Sequence, residues 1–171
     1  ARSYRDELRA AGGAGIAEDT LAFLSELTGE QLSVEAIHRL YTDVSPDDLT
    51  AALADRFDIE PAPDPGPGLL AEMERTGALV LVTTVGASWL RPRPGAFDDV
   101  RAIDGAWLEA ALAGVDHSVS YQHGVDLVVD AVGAGRATAA VLIRPVSVPE
   151  IERTAREGAL LCRARALHKG R

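Results

Sequence analysis

Strand-like and helix-like stretches alternate along this chain without the regular period of βαβ units, which predicts an α+β fold, a mixed β-sheet flanked by helices. Three stretches carry that prediction. Residues 78–85, Ala-Leu-Val-Leu-Val-Thr-Thr-Val, have the apolar and β-branched content of a central strand. Ser45-Pro46-Asp47-Asp48 opens a helix: serine caps it, proline takes the first helical position, and the acids sit where the helix dipole favours them. Val125, Val128, Val129 and Val132 repeat at i, i+3, i+4 and i+7, a stripe that overrides valine's weak helix propensity once that face is buried.

The remaining elements follow in chain order. Residues 4–11 read as a short helix rich in Arg, Glu, Leu and Ala, stopped by Gly12, Gly13 and Gly15. Residues 20–27 and 32–40 mix apolar and polar positions near period two, with a turn signal at 28–31, and read as an antiparallel pair of strands. After the capped helix, Leu49, Ala52, Leu53 and Phe57 fall on one face. Residues 69–75 form a second short helix, and 87–91 pair with the central strand across a turn at Gly86. Asp104 caps a helix whose apolar side holds Trp107, Leu108, Ala111 and Leu112. Residues 117–121 and 137–143 are strands, the second fully buried, and a last helix starts at Ser147 with Glu150 completing a capping box and stops near Gly158.

Proline at 61, 63, 65 and 67 cannot continue a helix or a central strand, so residues 61–68 are either a linker between two small lobes or a surface loop. The organisation expected is an N-terminal α/β lobe at 1–60, that linker or loop, a C-terminal α/β lobe at 69–161 and a basic tail at 162–171.

Composition bounds the function. The chain has 171 residues, 47% of them hydrophobic, enough for a real core. A net charge of -9 with 5% aromatic residues argues against nucleic acid, whose phosphates need clustered Lys and Arg. Residues 144–171 hold seven Lys or Arg against three Asp or Glu, but such a tail reads as a solvated end. No apolar run is long enough for a membrane span and no signal peptide is visible. One cysteine, Cys162, leaves no internal disulfide and fits a reducing compartment, so a cytoplasmic location is expected.

No standard catalytic motif stands in the chain. The glycine clusters at 12–15 and 133–135 match neither a dinucleotide fingerprint nor a phosphate loop, and Ser88 lacks the second glycine of a nucleophile elbow. Four histidines and one cysteine give no metal-ligand spacing, so no metal is expected. Five residues remain as candidates for ligand binding. His38 and Arg39, at a strand end, would donate to an anion or simply cap the strand; Tyr121 and His123, between a strand and a helix, would face a cleft, with Asp116 and Asp126 near enough to orient the histidine. Arg144 would place a guanidinium at the end of the buried strand, or merely stop it.

The residues Ile37-His38-Arg39-Leu40, Val119-Ser120-Tyr121 before an amphipathic helix, and Ala139 to Ile151 with Arg144-Pro145 and Pro149-Glu150 also stand in the order and spacing of a known family. Over nearly its whole length the chain resembles the bacterial and archaeal family called domain of unknown function 1015, which is distantly similar to the ParB and free-serine-kinase group. That resemblance implies an intact relative that transfers a phosphoryl group from ATP, with magnesium, to a small hydroxy compound, with His38, Arg39, Tyr121 and His123 on the substrate side. It also implies an Asp-Gly-His-His-Arg-Tyr motif ahead of Ser3 and a Pro-Lys-Ser-Thr segment after the last helix, where this chain instead reads Leu160-Leu161-Cys162-Arg163. The expectation is therefore a truncated member, shifted in frame after Leu161, without a complete active site. A natural short form stays open beside it: a regulatory or oligomerisation module that forms a homodimer through an exposed sheet edge and the apolar Leu160 and Leu161.

Overall fold

The computed structural model describes residues 6, 7, 10, 11 and 34–156. The chain divides into two compact units, Ala1–Leu32 and Ser33–Arg171. In the first, Asp6, Glu7 and Ala10 are helical, as the sequence predicts for 4–11, and the Ala11 N-H donates to the Glu7 carbonyl at 3.0 Å. The glycine turn at 12–15, the expected strand at 20–27, its turn at 28–31, the helix stop at Gly158 and residues 160–171 lie outside the described residues.

The second unit runs β1 (His38–Thr42), α1 (Pro46–Ala54), β2 (Phe57–Ala62), α2 (Leu69–Thr76), β3 (Leu79–Thr83), β4 (Gly86–Pro92), α3 (Asp104–Ala111), β5 (Ser118–Gln122), α4 (Val125–Gly133), β6 (Ala139–Leu142) and α5 (Val148–Arg156). The strands form one sheet in the order β2-β4-β3-β6-β1-β5. The α+β class and the flanking helices are as predicted. The parallel pairs of a mixed sheet are not found among the described residues: all five pairings are antiparallel. The reason lies in β1. The connection β5-α4-β6 returns the chain in its own direction, as a crossover helix must, but β1 inserts between the two strands and pairs antiparallel with both.

The capped helix forms as its sequence dictates. Ser45 is extended and its Oγ accepts from the Asp48 N-H at 3.0 Å, Pro46 is the first helical residue, and Leu49 and Leu53 are fully buried. Burying each leucine contributes roughly 1.5–3 kcal/mol. The helix ends before Phe57, which packs in the same cluster from the first position of β2. Strand β3 is interior, as its composition demands, and its hairpin to β4 closes on the pair Thr83 and Gly86, leaving Thr84 and Val85 as the turn. The strand expected over 32–40 begins only at His38; residues 34–37 are not strand. Pro61 lies inside β2, tolerated because β2 is an edge strand with no partner beyond β4 among the described residues. Residues 63–68 are thus a loop joining β2 to α2, and one sheet draws strands from both sides of it.

Alternation along the strands puts a core on each side of the sheet. Leu40, Val80, Val82, Trp89, Ala140 and Leu142 face α2 and α4, meeting Leu69, Met73, Val128 and Val132. Tyr41, Leu79, Leu81, Leu90 and Val141 face α1 and α3, meeting Leu49, Leu53, Phe57, Phe97, Leu108 and Leu112. The result is a three-layer sandwich, and the predicted valine stripe holds: Val128 and Val132 are buried while Leu127 is exposed.

Candidate functional site

His38 and Arg39 are neighbours in sequence and strangers in space. Successive side chains of a strand leave opposite faces, so His38 shares the side of Leu40 and Arg39 the side of Tyr41. His38 is buried, and its Nδ1 accepts the Ile143 N-H at 3.2 Å, which places the ring proton on Nε2. Burial first, and then the nearby His123, push its pKa down from 6.5 to about 4. It is a buried, neutral peg joining β1 to the end of β6, on the face of the sheet away from Arg39.

Arg39 goes into the other core. It is 6% exposed, its Nη2 stands 3.6 Å from Glu109 Oε1, and its guanidinium lies 5.5 Å from the centre of the Tyr121 ring. Arg39 and Tyr121 are direct register partners of β1 and β5, so the antiparallel ladder brings together two candidates that are 82 positions apart in sequence. Gly105, in the first turn of α3, leaves room for the guanidinium; a β-carbon there would collide with Arg39 Nη2. The Nε of Arg39 is buried without a hydrogen-bond partner. A buried donor without a partner costs about 1–3 kcal/mol, and among the described residues Trp107 Nε1 is the other such atom.

These groups line a cleft of about 410 Å³ between β1, β5 and the C-terminal end of α3, walled by Arg39, Tyr41, Leu108, Glu109, Asp116, His117, Val119 and Tyr121. His117 packs edge-on to Tyr41 with ring centres 5.5 Å apart, and its Nδ1 lies 2.8 Å from the Val115 carbonyl, so that nitrogen carries the proton. Burial pushes the Tyr41 hydroxyl well above its usual pKa and keeps it neutral.

His123 lies outside this cleft, half exposed at the end of β5, 3.6 Å from Glu35 Oε2. Glu35 takes the orienting position that the sequence suggested for Asp116 and Asp126. Arg144 is placed at the end of β6 as expected, but its use is structural. Its backbone N-H donates to Asp104 Oδ2 at 2.8 Å, its Nε sits 3.1 Å from the same oxygen, and its Nη2 reaches Oδ1. Asp104 is therefore not the cap of α3; the cap position is Ile103, and the aspartate is drawn to a guanidinium 40 residues along. A larger concavity of about 480 Å³ surrounds this pair. There the two charges satisfy each other, whereas the Arg39 cleft is walled by a guanidinium whose Nε has no hydrogen-bond partner.

Tyr41, Gly105, Glu109 and His117 escaped the sequence reading. One signal was present: Gly105 and Glu109 stand four apart in a helix, the spacing of a single face with a gap at one end and a charge at the other. Among the described residues no group of three or more His, Cys, Asp or Glu could hold a metal ion, and no helix is long and apolar enough to cross a membrane.

Fold and site together define an antiparallel α+β sandwich whose aromatic side carries the Arg39 cleft. No protein-family model, no curated protein and no solved structure matches the chain.

Proposed function

We propose that this chain is a member of the domain of unknown function 1015 family and works as a small-ligand-binding module, its Arg39 cleft holding a molecule with one acidic group. The observation that carries this reading is the buried Arg39 guanidinium with an unpaired Nε at the wall of a cleft. The family assignment is supported by the motif order around His38-Arg39, Ser120-Tyr121 and Arg144-Pro145. A cytoplasmic setting belongs to the same reading and is supported by the single Cys162.

The lining narrows the ligand. Arg39 offers a fixed charge and directed donors to a carboxylate or phosphate, while Glu109 and Asp116 repel further negative charge and accept from hydroxyls. A small hydroxy acid fits this distribution better than a nucleotide triphosphate. Among the described residues of the cleft no nucleophile is hydrogen-bonded to a base, so the module binds and supplies no chemical step of its own. The second reading is the phosphotransferase implied by the family resemblance, with ATP and magnesium; the Arg39 and Tyr121 pairing favours it only as the acceptor side.

Ligand-observed NMR across small hydroxy acids, inorganic phosphate, and ATP with magnesium tests both readings. The expected result is binding of a hydroxy acid that weakens about thirtyfold in Arg39→Met, the loss of a charge-assisted hydrogen bond. Binding of every probe equally well by Arg39→Met, or binding of none, overturns the proposal. Magnesium-dependent ATP binding moves the phosphotransferase reading ahead.

A further inference from the structure

The sheet has two edges, and among the described residues only one of them is guarded. β2 carries Pro61, and it carries Asp58 and Glu60 paired with Arg93 and Arg91 at 2.9 and 3.1 Å, devices that keep a foreign strand from docking. β5, Ser118-Val119-Ser120-Tyr121-Gln122, has no proline and no charge. It pairs with β1 alone among the described residues, which leaves the peptide groups of its outer side without a ladder partner there.

We propose that the outer edge of β5 pairs antiparallel with β5 of a second copy of this chain, about a two-fold axis at Ser120. The strand is complementary to itself in that register. Ser120 faces Ser120, Ser118 faces Gln122, and Val119 faces Tyr121, a β-branched and aromatic pair of the kind that stabilises sheets. Charge selects this patch over others. Two copies with a formal charge of -9 repel each other over most of their surface, whereas the β5 edge is neutral.

The pairing also bears on the cleft. Directly opposed residues of an antiparallel pair lie on the same side of the sheet, and Val119 and Tyr121 already line the Arg39 cleft. A second copy therefore brings its own Val119 and Tyr121 to the open rim, so that two clefts flank one axis and each is walled partly by the other chain. A five-residue strand pair is a small interface, which makes the dimer weak and dependent on concentration.

Sedimentation velocity over a dilution series is the first test. The full chain is expected to shift from monomer to dimer with concentration, and Ser120→Lys, which sets two like charges face to face on the axis, to raise the dissociation constant about tenfold with an unchanged circular dichroism spectrum. A chain that stays monomeric throughout, or a dimer indifferent to Ser120→Lys, overturns the proposal. A second measurement guards against a misfolded variant. In a Cys162→Ser background, Ser120→Cys is expected to cross-link under mild oxidation, because opposed residues of an antiparallel pair lie about 4.5–5.5 Å apart at Cα, within disulfide reach. Cross-linking no faster than that of Glu60→Cys on the guarded edge counts against it. The proposal does not depend on the ligand reading: Ser120→Lys probes the face of β5 opposite to that of Tyr121, on which Arg39 lies.

Discussion

The two sides of this sheet are built from different materials. Toward α2 and α4 the core is nearly all hydrocarbon, with Met73, Val80, Val82, Val128, Val132 and Leu142 closing against one another. Toward α1 and α3 the core takes in Phe57, Phe97, Trp107 and Tyr41 and admits the buried charges of Arg39 and Asp104. Hydrocarbon packing asks only for volume, whereas a buried charge must find partners, so the second side needs placed donors and acceptors. The Arg39 cleft, with its buried Nε lacking a hydrogen-bond partner, belongs to the side that already carries charge.

The largest effects should ignore the distinction. Met73→Ala on the hydrocarbon side and Leu53→Ala on the aromatic side each remove a fully buried side chain, and each is expected to cost about 3 kcal/mol in urea unfolding. A cost below about 1 kcal/mol for either would mean that its side collapses around the gap and is the softer of the two.

An effect of similar size separates the sides by pH. Folding lowers the pKa of His38 from 6.5 to about 4, so between those values the unfolded chain binds more protons than the folded one. The stability from this group is fully present above the unfolded value and is lost as pH falls toward about 4. Wild type is expected to lose about 3 kcal/mol relative to His38→Asn between about pH 7 and pH 4, the amide oxygen of the variant still accepting the Ile143 N-H. Parallel pH profiles for the two proteins would show that His38 is accessible to protons in the folded state.

The smallest expected effect on stability sharpens the comparison most. Arg39→Met exchanges a buried cation with an unpaired Nε for hydrocarbon of similar length, and the Glu109 carboxylate it leaves behind is half exposed and stays solvated. Thermal unfolding should move by less than about 1 kcal/mol in either direction, while ligand binding weakens about thirtyfold. A marked loss of stability would identify the Arg39 and Glu109 contact as a structural brace.

Local chemistry was legible in the residues themselves. The Ser45-Pro46 helix start, the valine stripe of α4 and the interior strand β3 depend on contacts within a few positions, and they formed where their sequences placed them. Strand order was not legible, because the insertion of β1 between β5 and β6 is a choice among registers that period-two patterns leave equivalent. Asp104 shows the same limit: it has the identity and position of a helix cap, and a long-range partner, Arg144, outbids the local backbone. The grouping of His38 with Arg39 failed for the opposite reason. Strand alternation separates two adjacent side chains whatever chemistry they share.

Trp107 is stacked on Phe97 with ring centres 5.1 Å apart, the Arg144 guanidinium lies 5.5 Å from its ring centre, and Trp89 belongs to the opposite core under Arg91. Since the sequence contains two tryptophans, each layer of the molecule owns one natural fluorophore. Replacing either indole with phenylalanine turns the protein's own emission into a one-sided optical gauge. Light from Trp107 then follows the layer that holds the cleft, and light from Trp89 follows the layer that does not.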